Sequence, residues 1–530
     1  MKKLLFWAVL LMTGFAFYSC DERFDNPATE TPNPSDPAST WTYEVNVKFA
    51  WFPTYSDGEN QYKFEAPNTL YVFNKSFDLL GEITCDEEID QDNYTADFYK
   101  FAGTLKGAIG DTLVIGTIGD QKWFAEKQDG TMETIYKNGI LQAAKAPIIV
   151  ANESNGKIGT QRVELQNHTA IVGFRMYRYA TGKETGVTIS SDKLMMPKAE
   201  SIDITFAEDV NPSELFWVAL PLLEGTNPNP DFKTTSEKGV DLFGKSLYSW
   251  FSPGSITSTN SVEMLPKLID IAEYKELFNT NWLDIFADGT VVTQSGDDTI
   301  DFSVYFYTNK ATIKGINING ELYSNTPDGE TECILNIEGD NSISNTYNYA
   351  VLWIYRKTTF KGNGTLSINN TNPWNYGYGI YIASWSEYDI DDKNSVVIPG
   401  GLIIEDGVTV KAKAPYGGIY LNKLSGNYYY NEDGKRKEAE WTDLYNNFLE
   451  VNGNLEIEGE DYGMYKYGKV NIGETGTVKA TSNNAGWKIF DGNITEGEDY
   501  EAALETLVAD KSKFSDEISE DKKVRTIKKK

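Results

Sequence analysis

Aromatic rings next to carboxylates are the most promising chemical grouping in this sequence. Trp385 and Tyr388 stand directly before Asp389, Asp391 and Asp392. An exposed ring can stack on the C–H face of a sugar, while nearby amide and carboxylate groups bind its hydroxyls. The three aspartates are also a candidate calcium site, because calcium prefers carboxylate oxygens. The candidate glycan-binding residues are Trp374, Trp385, Tyr388, Tyr428, Tyr429 and Trp441.

Two alternatives to this site remain open. The rings can instead fill a hydrophobic core or fasten loops, as buried aromatic side chains commonly do. The aspartates can be solvated turn residues, because the chain holds 78 acidic against 48 basic residues.

The sequence contains none of the common catalytic signatures. It has no phosphate-binding loop, no HExxH, no CxxC and no Gly-x-Ser-x-Gly. Its only histidine, His168, lies in an alternating apolar and polar stretch and is predicted to be structural. Between Trp282 and Ile489 the only arginines are Arg356 and Arg436, so bases for polysaccharide cleavage are scarce. We therefore expect a protein that is not an enzyme and that needs no cofactor, calcium excepted.

Cys20 ends an N-terminal segment that predicts export. Lys2 and Lys3 precede the apolar run Leu4–Leu11, and residues 1–19 are therefore predicted to be a signal peptide. The position of Cys20 resembles the lipobox of bacterial lipoproteins, which implies acylation of its thiol. Asp21-Glu22 resembles the tag that directs some lipoproteins to the outer face of the outer membrane. An ordinary signal peptide with an unmodified Cys20 is the alternative.

The net charge limits the classes of molecule that this chain is expected to bind, and the positions of the cysteines argue against a disulfide. The net charge is −30, and loss of Lys2 and Lys3 with the signal makes it more negative. Such a field repels phosphates, so neither nucleic acid nor anionic lipid is an expected partner, and the membrane is reached through the lipid anchor only. Cys85 and Cys333 fall in different predicted domains, so two free buried thiols are expected.

The N-terminal half has the pattern of β-sandwiches behind a tether. Residues 20–40 are rich in Pro and polar residues and are predicted to be a flexible tether. Short alternating strands then predict one sandwich over 41–158 and a second over 159–264, the latter with a long connection across 225–253.

Three segments in this half carry a family resemblance. Leu70-Tyr-Val-Phe73, the hydrophobic strand after Asn167-His168-Thr169, and Phe216-Trp-Val-Ala-Leu-Pro221 occur in an order that resembles fimbrillin-like surface lipoproteins. The resemblance implies transthyretin-like sandwiches and a place among pilus or pilus-tip proteins, with other pilus subunits as partners. In that family a strand can be donated between subunits.

The C-terminal half repeats short strand-like units. Gly379-Ile-Tyr-Ile382, Gly418-Ile-Tyr-Leu421, Gly463-Met-Tyr-Lys466 and Gly486-Trp-Lys-Ile489 recur, each preceded by a second unit such as Gly364–Ile368 or Gly401–Ile404. Paired units that cannot bury a face alone predict a right-handed parallel β-helix over 265–492. An antiparallel meander is the alternative.

Helical spacing predicts elements at both ends of this repeat region. It predicts a helix within 265–286 and a capping helix followed by a disordered basic tail over 493–530. Uneven repeat spacing also predicts insertions at 384–395 and 422–447, which contain most of the candidate rings.

The fold class expected from the sequence is therefore all-β, with sandwiches followed by a parallel β-helix. The expected function is adhesion by a lipid-anchored protein of the outer-membrane surface, which recognises a glycan or host surface and belongs to a pilus or its tip. A glycan-capture lipoprotein of a polysaccharide-uptake system is the first alternative. A β-helical carbohydrate-active enzyme is the second.

Overall fold

A computed structural model describes the chain from residue 40 to residue 530. The residues left outside the description are 75, 77, 107–111, 121, 145–147, 150–156, 195–200, 223–227, 247–250, 326–331, 373–376, 389–394, 423–427, 431–435, 439–446, 467, 485–489 and 492–502. The chain forms two compact units, Met1–Met264 and Leu265–Lys530.

The first unit is built from two large sheets. Its strands are β1 (Thr40–Lys48), β2 (Tyr55–Ser56), β3 (Gln61–Tyr62), β4 (Thr69–Asn74), β5 (Leu79–Cys85), β6 (Tyr99–Lys106), β7 (Thr112–Gly116), β8 (Gln142–Ala144), β9 (Ile148–Ile149), β10 (Lys157–Asn167), β11 (Thr169–Arg178), β12 (Gly186–Ser190), β13 (Ser201–Thr205), β14 (Phe216–Pro221), β15 (Asp231–Thr235), β16 (Asp241–Lys245) and β17 (Ile256–Pro266). One sheet has the order β4-β5-β6-β1-β10-β8-β7-β9, and the other β13-β12-β15-β16-β17-β11-β14. Two short helices, α1 (Trp123–Glu126) and α2 (Met132–Asn138), interrupt the strands.

Alternating side chains give each sheet a hydrophobic core. Tyr43 and Phe101 are fully buried in the first core, and Phe174 packs on Phe232 in the second with ring centroids 4.8 Å apart. The expected long connection at 225–253 is wrong in part, because β15 and β16 form a hairpin there. Its Pro- and Asn-rich composition concealed the alternation of β15, which buries Phe232 while its neighbours stay exposed.

The second unit consists mainly of short strands. They are β18 (Leu268–Asp270), β19 (Trp282–Ile285), β20 (Thr290–Thr293), β21 (Ile300–Asp301), β22 (Ser303–Phe306), β23 (Lys310–Lys314), β24 (Asn317–Asn319), β25 (Leu322–Ser324), β26 (Cys333–Glu338), β27 (Asp340–Asn345), β28 (Ala350–Ile354), β29 (Lys357–Gly362), β30 (Thr365–Asn370), β31 (Tyr378–Ile382), β32 (Trp385–Tyr388), β33 (Ser395–Ile398), β34 (Gly401–Ile404), β35 (Thr409–Ala414), β36 (Gly417–Leu421), β37 (Tyr428–Tyr430), β38 (Arg436–Glu438), β39 (Phe448–Val451), β40 (Asn454–Gly459), β41 (Tyr462–Lys466), β42 (Lys469–Ile472), β43 (Thr477–Ser482), β44 (Phe490–Asp491), β45 (Phe514–Ile518) and β46 (Val524–Lys529).

Apart from the hairpins β32–β33 and β37–β38, these strands form three sheets, each built from strands of successive turns of the chain. Sheet I is β18-β20-β23-β26-β29-β34-β39-β42, sheet II is β19-β22-β25-β28-β31-β36-β41-β44, and sheet III is β21-β24-β27-β30-β35-β40-β43-β46-β45. From β20 onward each turn of the chain adds one strand to sheet I, one to sheet III and one to sheet II, and neighbouring turns pair in parallel register. We call this arrangement the three-sheet stack.

The sequence units map onto this stack with one difference. The Gly-anchored units at 379–382, 418–421 and 463–466 are all strands of sheet II, whereas 486–489 lies outside the described residues. The preceding units are of two kinds: Gly401–Ile404 is in sheet I and Gly364–Ile368 overlaps a strand of sheet III. Strands of both kinds have the same short alternation of apolar and polar residues, so the sequence does not distinguish them. It therefore predicts two strands per turn, whereas the chain forms three.

Helix α3 (Ile271–Phe278) lies between the first strands of sheets I and II and is shorter than the helix expected within 265–286. Asp270 begins it, since its Oδ1 accepts from the backbone N–H groups of Ala272 at 3.0 Å and Glu273 at 3.2 Å. Asn279 ends it in the left-handed conformation, with φ 48°.

The C-terminal tail differs from the expected helix and disordered end. In its described part, 503–530, the chain makes two 3-10 turns and the β45–β46 hairpin, and β46 pairs antiparallel with β43. Leu507, Phe514 and Ile527 are buried. Alternating burial along Val524–Lys529 favours a strand here, because it turns Arg525 and Ile527 inward although the segment is rich in basic residues.

Candidate functional site

An aromatic column runs along the outward face of sheet II. Its members occupy the same register position on consecutive strands, so that each pairs with the next across the sheet. We call this column the aromatic ladder, and it consists of Tyr305, Tyr323, Trp353, Tyr381, Tyr420 and Tyr465.

Strand alternation turns these rings outward. In β31 Ile380 and Ile382 are fully buried, and Tyr381 between them is partly exposed. Leu352 and Ile354 flank Trp353 in the same way. Side chains alternate between the two faces of a strand, so the apolar neighbours anchor each strand in the core and hold the ring at the surface.

The ladder has two parts with different ring orientations. The first part is stacked: Tyr305 and Tyr323 have centroids 4.8 Å apart at 24°, and Tyr323 and Trp353 are 5.4 Å apart at 7°. Further along, the angle is 57° between Trp353 and Tyr381 and 62° between Tyr381 and Tyr420. Because aromatic planes in contact lie about 3.5 Å apart, a 5.4 Å centroid distance requires an offset. The two rings are therefore displaced sideways from one another, and both side chains remain partly exposed.

The outward face of sheet III has a different chemistry. Lys411 pairs with Glu456 at 3.8 Å, and Lys413 pairs with Glu458 at 2.8 Å, along neighbouring strands. The six ladder strands contain one basic residue, Lys466 at the end of β41. The stack thus presents an aromatic, cation-poor face beside an ion-paired one.

Glu321 is a buried carboxylate at the edge of the ladder. It is 6% exposed and accepts hydrogen bonds from Asn348 Nδ2 and, at 3.3 Å, from Trp353 Nε1. Burial raises the pKa of this carboxyl, while hydrogen bonds from Asn348, Trp353 and Tyr323 oppose the rise. Glu321 is therefore hydrogen-bonded to two ladder rings, Trp353 and Tyr323.

The hydroxyls of Tyr305, Tyr323 and Tyr381 stay protonated at neutral pH. Burial raises the pKa of Tyr305, and the negative charges of Glu321 and Asp284 raise it further. Burial also raises the pKa values of Tyr323 and Tyr381. Each neutral phenol can both donate and accept a hydrogen bond, which suits an uncharged polyhydroxylated ligand.

The predicted insertions lie at one corner of the stack. The antiparallel hairpin β32–β33 joins β31 of sheet II to β34 of sheet I, and β37–β38 joins β36 to β39 at the same corner one turn later. Trp385 and Tyr388 bound β32, and Tyr428 and Tyr429 lie in β37; their side chains are outside the description. The candidates outside the described residues altogether are Trp374, Trp441, Asp389, Asp391, Asp392 and the lipidation candidate Cys20.

Asn447 ties the bases of both insertions together. Its Oδ1 accepts from Ser384 Oγ at 2.5 Å and from Gly400 N–H at 2.9 Å, and its Nδ2 donates to the Asn422 carbonyl at 2.8 Å. Asn422 Nδ2 in turn donates to the Tyr381 hydroxyl at 2.5 Å. The insertions are therefore fastened to each other and to the ladder.

Sequence reasoning missed the ladder as a site. The signal was present, because Tyr381, Tyr420 and Tyr465 each take the third place of a Gly-anchored unit and Trp353 takes the equivalent place in Ala350–Ile354. The repeat by itself indicates a fold, and only the register between turns brings its aromatic position together as a surface.

The histidine and the two cysteines of the described residues are buried. His168 is buried, its Nδ1 lies 3.3 Å from the Leu222 carbonyl oxygen, and burial lowers its pKa. Cys85 and Cys333 are free and buried.

Across the described ranges, no group of three or more His, Cys, Asp or Glu is placed to hold a metal ion. No helix in this part of the chain is both long and apolar enough to cross a membrane.

Comparisons with known proteins give distant structural similarity only. No family model and no curated protein matches the chain. A proposed cell adhesion protein from Bacteroides ovatus is similar at 9% identity over 43% of this chain and 96% of its own, with a TM-score of 0.21. The fimbrial anchor protein Mfa2 from Porphyromonas gingivalis is similar at 16% identity over 38% and 80%, with a TM-score of 0.22.

A third similar structure is that of proposed polysaccharide-binding proteins from Bacteroides thetaiotaomicron. It matches at 15% identity over 38% of this chain and 78% of its own, with a TM-score of 0.19. At such identities and TM-scores the similarity supports no function for this chain.

Proposed function

We propose that this protein is a surface-displayed glycan-binding adhesin that binds through the aromatic ladder. The observation that carries the proposal is the ladder itself: partly exposed Tyr and Trp rings in unbroken register on one face of the stack. Rings supply the apolar contact for sugar C–H faces, and their neutral hydroxyls supply hydrogen bonds. Asn348 and Asn422 add amides along the same face.

The proposal also covers the fold of the two units, the attachment of the protein to the outer membrane and a calcium ion. The three-sheet stack is proposed to be a right-handed parallel β-helix, and the two sheets of the first unit to be fimbrillin-like sandwiches that place the protein at a pilus or its tip. Cys20 is proposed to carry the lipid that holds the protein on the outer membrane. Calcium at Asp389, Asp391 and Asp392 is proposed as an accessory ion beside the first insertion.

Binding to a polysaccharide panel tests the proposal. Residues 21–530 are titrated with neutral polysaccharides (starch, xylan, galactomannan) and with anionic ones (pectin, heparin). We expect binding to at least one neutral polysaccharide and a loss of about tenfold or more in affinity for Trp353→Ala, which corresponds to roughly 1.4 kcal/mol. Trp51→Ala is the matched control, since Trp51 is 65% exposed in the first unit. Equal affinity of wild type and Trp353→Ala would contradict the ladder as the site.

The insertions are tested in the same assay. Trp385→Ala and Trp441→Ala are expected to weaken binding while the melting temperature stays nearly unchanged. A collapse of stability would instead identify these rings as core residues, and no change in either quantity would confine the site to the ladder. Chelation by EDTA tests whether calcium contributes.

An alternative function of the same surface is to capture polysaccharides for uptake into the cell. An adhesin and a glycan-capture lipoprotein both need the ladder, so genes next to this one distinguish them: pilus subunits favour adhesion, and transporters with hydrolases favour capture.

Glu321 is the one observation that favours an enzyme. A buried carboxyl with a raised pKa beside a sugar-binding surface has the character of a general acid. Its engagement by Asn348 and Trp353 argues instead for a fixed structural acceptor. Release of reducing ends from the panel, abolished in Glu321→Gln, would establish a hydrolase and overturn the non-enzymatic function.

A further inference from the structure

We infer that the ligand is an extended, uncharged polysaccharide that lies along the stacking direction and contacts several turns at once; this inference rests on the proposed glycan-binding function. The ladder repeats one ring per turn, and parallel strands are about 4.8 Å apart. Six rings therefore span about 24 Å. A compact sugar would need one or two rings, whereas an unbroken column provides equivalent contacts at a fixed spacing.

A second aromatic column backs the ladder along the stacking direction. Tyr349, Tyr378, Tyr416 and Tyr462 follow one another along the same side of sheet II, with centroids 5.2, 5.3 and 5.5 Å apart. It meets the ladder through Tyr378 and Tyr420, which stack 4.7 Å apart at 20°. Tyr378 and Tyr462 are 4% and 7% exposed, so this column packs beneath the surface and supports the ladder through consecutive turns, with Tyr349 reaching the surface at 41% exposure.

The charged residues near the ladder favour an uncharged polysaccharide as the ligand. Asp284 lies opposite Tyr305 in the register of β19 and β22, and the carboxyl group of Glu321 accepts a hydrogen bond from Trp353 Nε1. The only basic residue of the ladder strands lies at one end, in β41. Along the described ladder strands, a carboxylated or sulfated polysaccharide would meet carboxyl groups and no basic residue before β41, so a neutral chain is favoured.

The change in ring orientation at Trp353 gives the ladder two distinct segments. Tyr305, Tyr323 and Trp353 are stacked, whereas Tyr381 is turned by 57° from Trp353. The second segment begins where the insertions begin, since Asn422 holds the Tyr381 hydroxyl. A short oligosaccharide can occupy one segment, and only a longer one can occupy both.

Oligosaccharides of graded length test the inference. They are prepared from the neutral polysaccharide that binds tightest in the panel above, and their affinities for residues 21–530 are measured by calorimetry. We expect affinity to rise with length by about tenfold or more, and to level off when the chain spans about 24 Å. Equal affinity for the shortest and the longest oligosaccharide would overturn the axial arrangement and leave glycan binding intact. If wild type binds none of the neutral polysaccharides, both proposals fail.

Variants at the two ends of the ladder provide the second readout. Tyr305→Ala and Tyr465→Ala are each expected to weaken the longest oligosaccharide about threefold to tenfold. The shortest should respond to one of them at most. Tyr465→Leu, which keeps apolar volume without an aromatic face, replaces Tyr465→Ala if that variant does not fold. Tyr347→Ala is the control, since Tyr347 is 81% exposed and outside the ladder. End variants that leave the longest oligosaccharide unaffected would overturn the inference.

Discussion

The rings of Tyr323 and Trp353 lie within 7° of parallel on neighbouring strands of sheet II, with their centroids 5.4 Å apart. Offset stacked pairs contribute about 0.5–1.5 kcal/mol beyond the apolar area that they bury. We predict that Tyr323→Ala and Trp353→Ala show a coupling free energy of this size in a double-mutant cycle, measured by urea unfolding. Trp353→Ala combined with Tyr347→Ala should be additive, because Tyr347 is largely exposed. An uncoupled Tyr323–Trp353 pair would show that the ladder is held by its strands alone.

The alternation of short apolar units made the strands of the second unit predictable. Ile380 and Ile382, for example, are buried on either side of the partly exposed Tyr381, an alternation that is visible in the sequence. The number of sheets was not predictable in this way, since strands of sheets I and III carry the same alternation. Which unit joins which sheet depends on turns and on long-range pairing.

The candidate site in the insertions stays a prediction, and the ladder could not be predicted from local sequence alone. The aromatic residues of the insertions stand out in the sequence, whereas those of the ladder are separated by whole turns of the chain. Tyr305 and Tyr323 lie in strands without the Gly-anchored pattern, so only the register across turns unites them with Trp353. Asn447 is a similar case: its partners Ser384 and Gly400 are distant in sequence, and no local pattern indicates them.

Glu321 should make stability depend on pH. Its pKa is raised in the folded state by burial, so the folded protein binds this proton more tightly than the unfolded chain does. The resulting stabilisation is fully present below the ordinary glutamate pKa of about 4.3 and is lost as pH rises through the raised value. Relative to Glu321→Gln, wild type should therefore lose stability between pH 4 and neutral pH, measured as the difference in melting temperature. A constant difference across this range would show that Glu321 keeps an ordinary pKa.

Asn447 should control the order of both insertions. Replacement by Leu removes acceptors for Ser384 and Gly400 and the donor to Asn422, and leaves these groups without their partner in a buried place. Each unsatisfied buried group costs about 1–3 kcal/mol. We predict faster amide exchange and faster proteolysis within 384–399 and 422–446 for Asn447→Leu.

Asn454→Leu serves as the control for this experiment, since Asn454 is exposed and its side chain makes only a 3.5 Å contact with Thr409. Exchange that rises equally in both variants would contradict a specific role for Asn447.

Cys20 should determine membrane attachment. Acylation of one residue anchors a protein without a spanning segment, so Cys20→Ala is predicted to move the protein from the membrane fraction to the soluble fraction. Mass spectrometry of the wild type should find lipid on the N-terminal peptide. Membrane retention of the variant together with an unlipidated wild type would support an ordinary signal peptide.

The β45–β46 hairpin should protect the end of the stack. Without it, β43 would present an unpaired edge, and such edges promote association between chains. Within the hairpin, Arg525 Nη2 bonds Asp516 Oδ2 at 2.8 Å, and the arginine side chain is 3% exposed. Loss of one partner from a buried ion pair costs about 3–5 kcal/mol. We therefore predict that Asp516→Asn lowers the melting temperature and increases light scattering on heating. Lys528→Ala should change neither, because Lys528 and Glu517 are exposed and lie 4.0 Å apart. If Asp516→Asn behaves like Lys528→Ala, the hairpin does not close the stack through this pair.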